Sequence, residues 1–210
     1  AAHVLPGGSF GNLPGELTLV RGAGARVWDS AGRAYVDYLI GSGPMILGHA
    51  HPEVTAAVAA QLRDGLTFFA NNPHGIVLAE EIRDAVACAE RVRYVCTGSE
   101  ADMYAIRLAR AHTGRDLILK FEGGYHGMSD EAQMSLAPKT LRNFPRPVPD
   151  SAGILPEVAD RVLVAPFNDF AAVEALMAEY GPRIAGVIVE PLQRLIPPEP
   201  GILSGLRALC

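Results

Sequence analysis

Three short stretches of the chain put chemistry-capable side chains beside flexible backbone. They are Thr97-Gly98-Ser99-Glu100, Gly123-Gly124-Tyr125-His126-Gly127 and Glu190-Pro191. The first has two readings. Thr97 with Glu100 three residues on is a capping box, which accounts for both residues without a ligand. The same geometry suits a phosphate: Gly98 lets backbone approach closely, Ser99 adds a hydroxyl, and a helix dipole favours negative charge. It is neither a dinucleotide fingerprint nor a P-loop, because G-x-G-x-x-G is absent and no G-K-[ST] follows. The second stretch adds a flat aromatic, Tyr125, and an imidazole, His126, to glycine-rich backbone. A plain turn needs neither, and an aromatic and a histidine packed under a loop is the reading that requires no ligand.

Elements must bring these stretches together. Val92-Arg93-Tyr94-Val95-Cys96 reads as a strand, residues 101–112 as a helix closed by Gly114, and residues 117–121 as a second strand. Both glycine turns then lie at the carboxyl edge of a parallel sheet, where ligands bind in open α/β folds. Residues 161–166 predict another strand. Residues 184–189 are continuously apolar, as a strand buried on both faces is, and deliver Glu190 to the same edge. Asn168 is expected to cap a helix with Val173, Leu176, Met177 and Tyr180 inward, and a further helix starts at residue 201.

Upstream, residues 52–64 predict a helix with Val54, Val58 and Leu62 on one face. Residues 74–86 predict another with Leu78, Ile82 and Val86 inward and Glu80, Glu81, Arg83 and Asp84 outward. Residues 17–20 and 25–38 alternate around Asp29-Ser30-Ala31-Gly32 as a small hairpin. Gly41-Ser42-Gly43-Pro44 is a further glycine turn. Residues 1–15 read as extended, residues 68–73 as a loop with exposed aromatics, and residues 128–158, with five prolines, as the least regular stretch.

The 210 residues, 49% hydrophobic, suffice for a sizeable core. A net charge of −5 argues against a nucleic-acid footprint. No apolar run has the ~20 residues of a membrane helix, and no signal pattern opens the chain, so a cytoplasmic protein is expected. The 3 cysteines show no C-x-x-C spacing and read as free thiols, Cys96 as a buried one. His49 and His51 could suggest a metal pair, but no third ligand stands nearby, so capping and backbone hydrogen bonds are the better account and no metal is expected.

Thr97-Gly98-Ser99-Glu100-Ala101, with residues 105–110 and Phe121-Glu122-Gly123-Gly124-Tyr125-His126-Gly127, resembles the class III aminotransferases. These are pyridoxal-phosphate enzymes of fold type I, and the branch is similar to that of glutamate-1-semialdehyde aminomutase. Val27-Trp28-Asp29, Asp37-Tyr38, residues 43–49 and Val189-Glu190-Pro191 extend the resemblance over nearly the whole chain. It implies an α/β fold, a mainly parallel sheet with helices on both faces, incomplete in this chain. Residues 1–50 would belong to a small domain and residues 51–210 to the cofactor-binding major domain.

By matching position, the resemblance implies that Gly98 and Ser99 cradle the phosphate of pyridoxal 5′-phosphate. Tyr125, with His126 beside it, would face the ring, and Glu190 would be the carboxylate of the active-site floor. Ser42 and Gly43 fall at the substrate pocket. The implied partners are a small amine or amino acid, a keto or aldehyde acceptor, and a second copy of the chain, with the sites at the subunit boundary. The acid strand that holds the pyridine nitrogen, and the lysine after it, have no counterpart before Cys210. The chain's two lysines, Lys120 and Lys139, do not match that lysine's position, so it is expected downstream.

Two departures bear on the reaction. Ser42 replaces the tryptophan that the aminomutase branch carries before Gly-Pro, and Leu195 stands where the family usually places a polar residue. Both favour an aminotransferase over an aminomutase. A non-catalytic remnant and a nucleotide-binding α/β module are the alternatives from other classes.

Overall fold

The computed structural model describes residues 3–10, 13–138 and 144–210, and the chain divides into two compact units, on either side of the Glu90–Arg91 junction. In the first, β1 (Leu19–Ala23), β2 (Arg26–Asp29) and β3 (Ala34–Val36) form an antiparallel sheet in sequence order. The expected hairpin is therefore one half of a three-stranded meander. Its turn is fixed by Asp29, whose carboxylate accepts from the Ala31 and Arg33 N–H groups, the Arg33 guanidinium and the Tyr35 hydroxyl.

Helices α1 (Pro52–Asp64) and α2 (Pro73–Ala85) follow, each with proline in its first turn, where no helical N–H is needed. Neither buries a residue. Leu78 and Val86, expected inward, are about half exposed, because periodicity specifies which face is apolar without supplying a cover. Phe68 and Phe69 are exposed as expected.

The second unit is built on a parallel sheet ordered β5-β4-β6, with β4 (Leu117–Phe121) central, β5 (Val162–Ala165) on one side and β6 (Ile184–Val187) on the other. Side chains alternate across it. Leu117, Leu119, Phe121, Leu163 and Ala165 meet Val173 and Leu176 of α5 (Phe170–Tyr180) and Ile202 and Leu206 of α6 (Ile202–Leu209). On the opposite face Val162 and Val164 pack on Met134, with Val158 and Ala159 of α4 (Pro156–Ala159) beside them. Helix α3 (Gly98–Thr113) also lies there, its Ala109 3.4 Å from where a Cβ on Gly186 would stand. Both faces are covered, which is why β4 reads as an unbroken apolar run around one lysine.

Four expectations are corrected. Residues 92–96, expected as a strand, pair with no strand among the described residues, so the strand-helix-strand unit lacks its first ladder. Residues 184–189, expected as a strand buried on both faces, give the shorter β6, which buries only Ile184 and, among the described residues, pairs only with β4. Asp169, not Asn168, caps α5 by accepting from the Ala172 N–H, while Asn168 reaches the backbone of Pro197 and Glu199. Cys96 is exposed, like Cys88 and Cys210, all three being free thiols. Within the proline-rich stretch residues 131–135 are tightly seated, Met134 being fully buried. Lys139 lies outside the described residues.

Candidate functional site

The start of α3 carries both readings of its sequence at once. Thr97 Oγ1 accepts from the Glu100 N–H at 3.1 Å, and the Glu100 carboxylate accepts in return from the N–H groups of Thr97 and Cys96. The capping box thus uses Thr97 and Glu100 and leaves the N–H groups of Gly98 and Ser99, the first two of the helix, facing outward from the helix end. A Cβ added to Gly98 would meet nothing within 4 Å, so there is room beside this backbone for another molecule.

Ser99 connects this helix end to the second glycine turn. Its hydroxyl accepts from the Met128 N–H at 3.1 Å, which leaves its own proton for another acceptor. Gly127 packs so closely on Ser99 that a Cβ there would lie 2.5 Å from Ser99 Cα and Oγ. Gly127 also has a φ of 85°, so both contact and conformation demand glycine.

The turn leaves the carboxyl end of β4 and is tied at several points. Gly123 N–H donates to Ser135 O at 2.8 Å, and Gly124 N–H to Phe121 O at 3.1 Å. From beyond the carboxyl end of β6, Glu190 accepts the Tyr125 N–H at 3.1 Å and the Gln193 amide donates to Glu122 O at 2.7 Å. Tyr125 is left 48% exposed, its ring open to solvent, while His126 beside it is buried.

Electrostatics here are set by burial and one cation. Lys120, only 1% exposed on β4, donates to the carbonyls of Ala132, at 2.8 Å, and Met134. Burial lowers its ammonium to a pKa of about 8, partly opposed by the Asp150 and Glu190 charges. Burial, and then the Lys120 charge, push His126 down to about 4, so its imidazole is neutral at physiological pH. Its Nε2 is buried without a partner, as is Gln193 Oε1.

The structure brings Gly98, Ser99, Tyr125, His126 and Glu190 into one hydrogen-bonded and packed constellation at the carboxyl ends of β4 and β6. Two helix N–H groups, a hydroxyl proton and a half-exposed aromatic fit a phosphorylated, flat heterocycle. Ser42 and Gly43 lie in the other unit, exposed, at φ of 64° and 114°, in a turn that Asp37 organises by accepting from the Leu39 and Ile40 N–H groups. Asp37 also pairs with His49 at 2.6 Å, and the His49 backbone exchanges hydrogen bonds with Gly24, so that histidine has a carboxylate partner beside the backbone bonding expected of it. No group of three metal-ligating side chains occurs among the described residues. Sequence reasoning passed over Gln193 altogether. Its one signal was a polar side chain three residues beyond Glu190, beside Arg194 and between Leu192 and Leu195.

A family model described as "Aminotransferase class-III" matches residues 11–210. The chain is 44% identical over 216 residues to glutamate-1-semialdehyde 2,1-aminomutase of Nitrosospira multiformis, covering 98% of this chain and 50% of that protein. It is 42% identical to the protein of the same name from Aquifex aeolicus, covering all of this chain and 51% of the other. Among solved structures, an omega-transaminase from Sphaerobacter thermophilus superposes on 100% of the chain, and on 50% of its own, with a TM-score of 0.93 at 37% identity. A beta-phenylalanine aminotransferase from Variovorax paradoxus does so over 99% of this chain and 46% of its own, with a TM-score of 0.83 at 31% identity. The chain therefore spans about half the length of the curated relatives it matches.

Proposed function

Because the chain belongs to the class III aminotransferase family, whose cofactor is pyridoxal 5′-phosphate, we propose that the protein carrying it transfers an amino group between an amine or amino acid and a keto or aldehyde acceptor. The observation that supports this most directly is the junction of α3 with the glycine turn. There Ser99 receives the Met128 N–H while the outward N–H groups of Gly98 and Ser99 stay available to an anion. In this reading those groups and the Ser99 hydroxyl take the phosphate. Tyr125 faces the ring, and Glu190 holds the Tyr125 backbone in place. His126, kept neutral, presents one donor and one acceptor nitrogen beside them. When bound, the cofactor supplies the electron sink for charge developing at the substrate carbon.

Ser42 and Gly43 belong to the substrate pocket in this reading, residues 1–50 to a small domain and residues 51–210 to the major domain. The protein acts as a cytoplasmic homodimer. Glycine- and proline-rich residues 7–15 and exposed residues 68–73 are the segments offered to a second copy, and light scattering of a stable, active monomer would reject this. No helix among the described residues is long and apolar enough to cross a membrane.

Titration with pyridoxal 5′-phosphate tests the site: Ser99→Ala and Tyr125→Ala should each weaken binding about tenfold, and unchanged binding in both would remove the assignment. Stabilisation by ATP or NAD but not by pyridoxal phosphate would point instead to a nucleotide-binding module. Borohydride reduction with peptide mapping should leave Lys120 unlabelled, since its ammonium is buried against two carbonyls. Stoichiometric labelling of Lys120 or Lys139 would overturn the site map. The second reading, an intramolecular aminomutase, is favoured by the 44% identity to the Nitrosospira protein. Net amino transfer between two separate molecules supports the first reading; isomerisation of one amino aldehyde without net transfer supports the second.

A further inference from the structure

We propose that Gln193 is a positioning residue that acts with Glu190 as a two-point clamp on the turn carrying Tyr125 and His126, a role resting on the cofactor reading above. A glutamine in the loop after a strand would ordinarily extend into water, and Leu192 and Leu195 on either side are indeed exposed. Gln193 instead is 4% exposed. Taking an amide out of water is unfavourable unless a hydrogen bond compensates. Here Gln193 Nε2 finds Glu122 O at 2.7 Å, at the first residue of the turn. Three residues further along the turn, the Tyr125 N–H is held by Glu190 at 3.1 Å. Two side chains from one segment thus grip the turn at its entrance and at the residue that presents the aromatic ring.

The same amide packs against the glycine pair, of which Gly123 requires glycine in any case for its φ of 82°. A Cβ on Gly123 would lie 3.3 Å from Gln193 Nε2, and one on Gly124 would lie 3.3 Å from Gln193 Oε1 and 3.1 Å from His126 Nε2. Side chains at these positions would crowd the amide that fastens the turn. Gln193 Oε1 and His126 Nε2 are both buried without partners and both stand beside Gly124, so the amide also borders the imidazole. The turn that carries Tyr125 and His126 is thus fastened at its first residue by a side chain that is itself buried.

Gln193→Met keeps the length and volume of the side chain but removes the donor. Gln193→Asn keeps an amide one methylene too short to span the gap, and serves if the methionine variant fails to fold. In the protein carrying this chain, amide hydrogen exchange across residues 122–128 should quicken tenfold or more in either variant, while β4 and β5 keep their protection. The affinity for pyridoxal 5′-phosphate should fall about tenfold. The induced circular dichroism of the bound cofactor, which reports how firmly its ring is seated, should shrink. Exchange at wild-type rates would show that Gln193 only fills space and would overturn the clamp. Faster exchange with unchanged affinity and dichroism would overturn its positioning role. If the unaltered protein binds no pyridoxal phosphate, the functional reading fails, while the exchange measurement still decides whether the clamp exists.

Discussion

The two units of this chain are held together in different ways. Among the described residues up to Glu90, only Val27 and Asp29 are buried, and Asp29 is held by four hydrogen bonds within its own turn. In the unit from Arg91 onward, β4 is buried at every position and apolar side chains from three strands and two helices share one core. Both units contain helices with apolar residues at helical spacing. In α5 that spacing buries Val173 and Leu176, whereas in α1 it leaves Val54, Val58 and Leu62 about half exposed. An apolar stripe states what a helix can cover, and only a neighbouring surface converts it into cohesion.

The largest test of this contrast is Phe121→Ala. Phe121 is 1% exposed and meets Phe167 edge-on at 5.9 Å, so its loss should cost about 3–5 kcal/mol in denaturant unfolding. A cost below about 1 kcal/mol would mean that the cohesion of this unit lies outside the sheet.

Next in size is a pH effect. His126 ordinarily titrates at 6.5 and in the fold at about 4, lowered by burial and by Lys120. Between those values the unfolded chain binds more protons, so the stability tied to neutral His126 is complete above pH 6.5 and is lost as the pH falls toward 4. Allowing for solvent screening, the loss is roughly 2 kcal/mol. His126→Asn should flatten that part of the pH–stability curve; an equally steep curve in the variant would assign the slope to other groups.

Thr97→Ala removes the cap of α3 and should cost about 1 kcal/mol, read as a lower unfolding midpoint without a change in denaturant slope. Smallest of all is Val58→Ala, expected to stay within about 0.5 kcal/mol as at other uncovered positions. A cost above 2 kcal/mol there would break the comparison, since it would show the α1 face to be covered in solution.

Much of this was legible along the chain because it depends on neighbours in sequence. The extents of α1 and β4, the αL close of α3 at Gly114, and the capping box at Thr97 and Glu100 follow from cap chemistry, period and run length. So does the meeting of Tyr125 and Glu190 at one sheet edge, since the parallel strands β4 and β6 deliver their carboxyl ends to the same side, whereas Ser99 reaches it through its contact with Met128. Less was legible where a partner decides. Residues 92–96 have the composition of a strand, but a ladder requires a second strand, and none lies beside them among the described residues. Asn168 and Asp169 are adjacent and equally suited to cap a helix, so the choice fell to backbone geometry.

What the sequence by itself determined is therefore local and periodic: which segments are helix or strand, which faces are apolar, and where a helix N-terminus meets glycine. Only the tertiary structure decided that Lys120 is a buried cation fastening residues 132 and 134, that His126 is neutral, and that Gln193 reaches back to Glu122. Those properties come from burial and from contacts between residues as many as 71 apart in sequence. The free energy of a charge or an amide depends on what replaces its water, and that is settled only when the chain has folded.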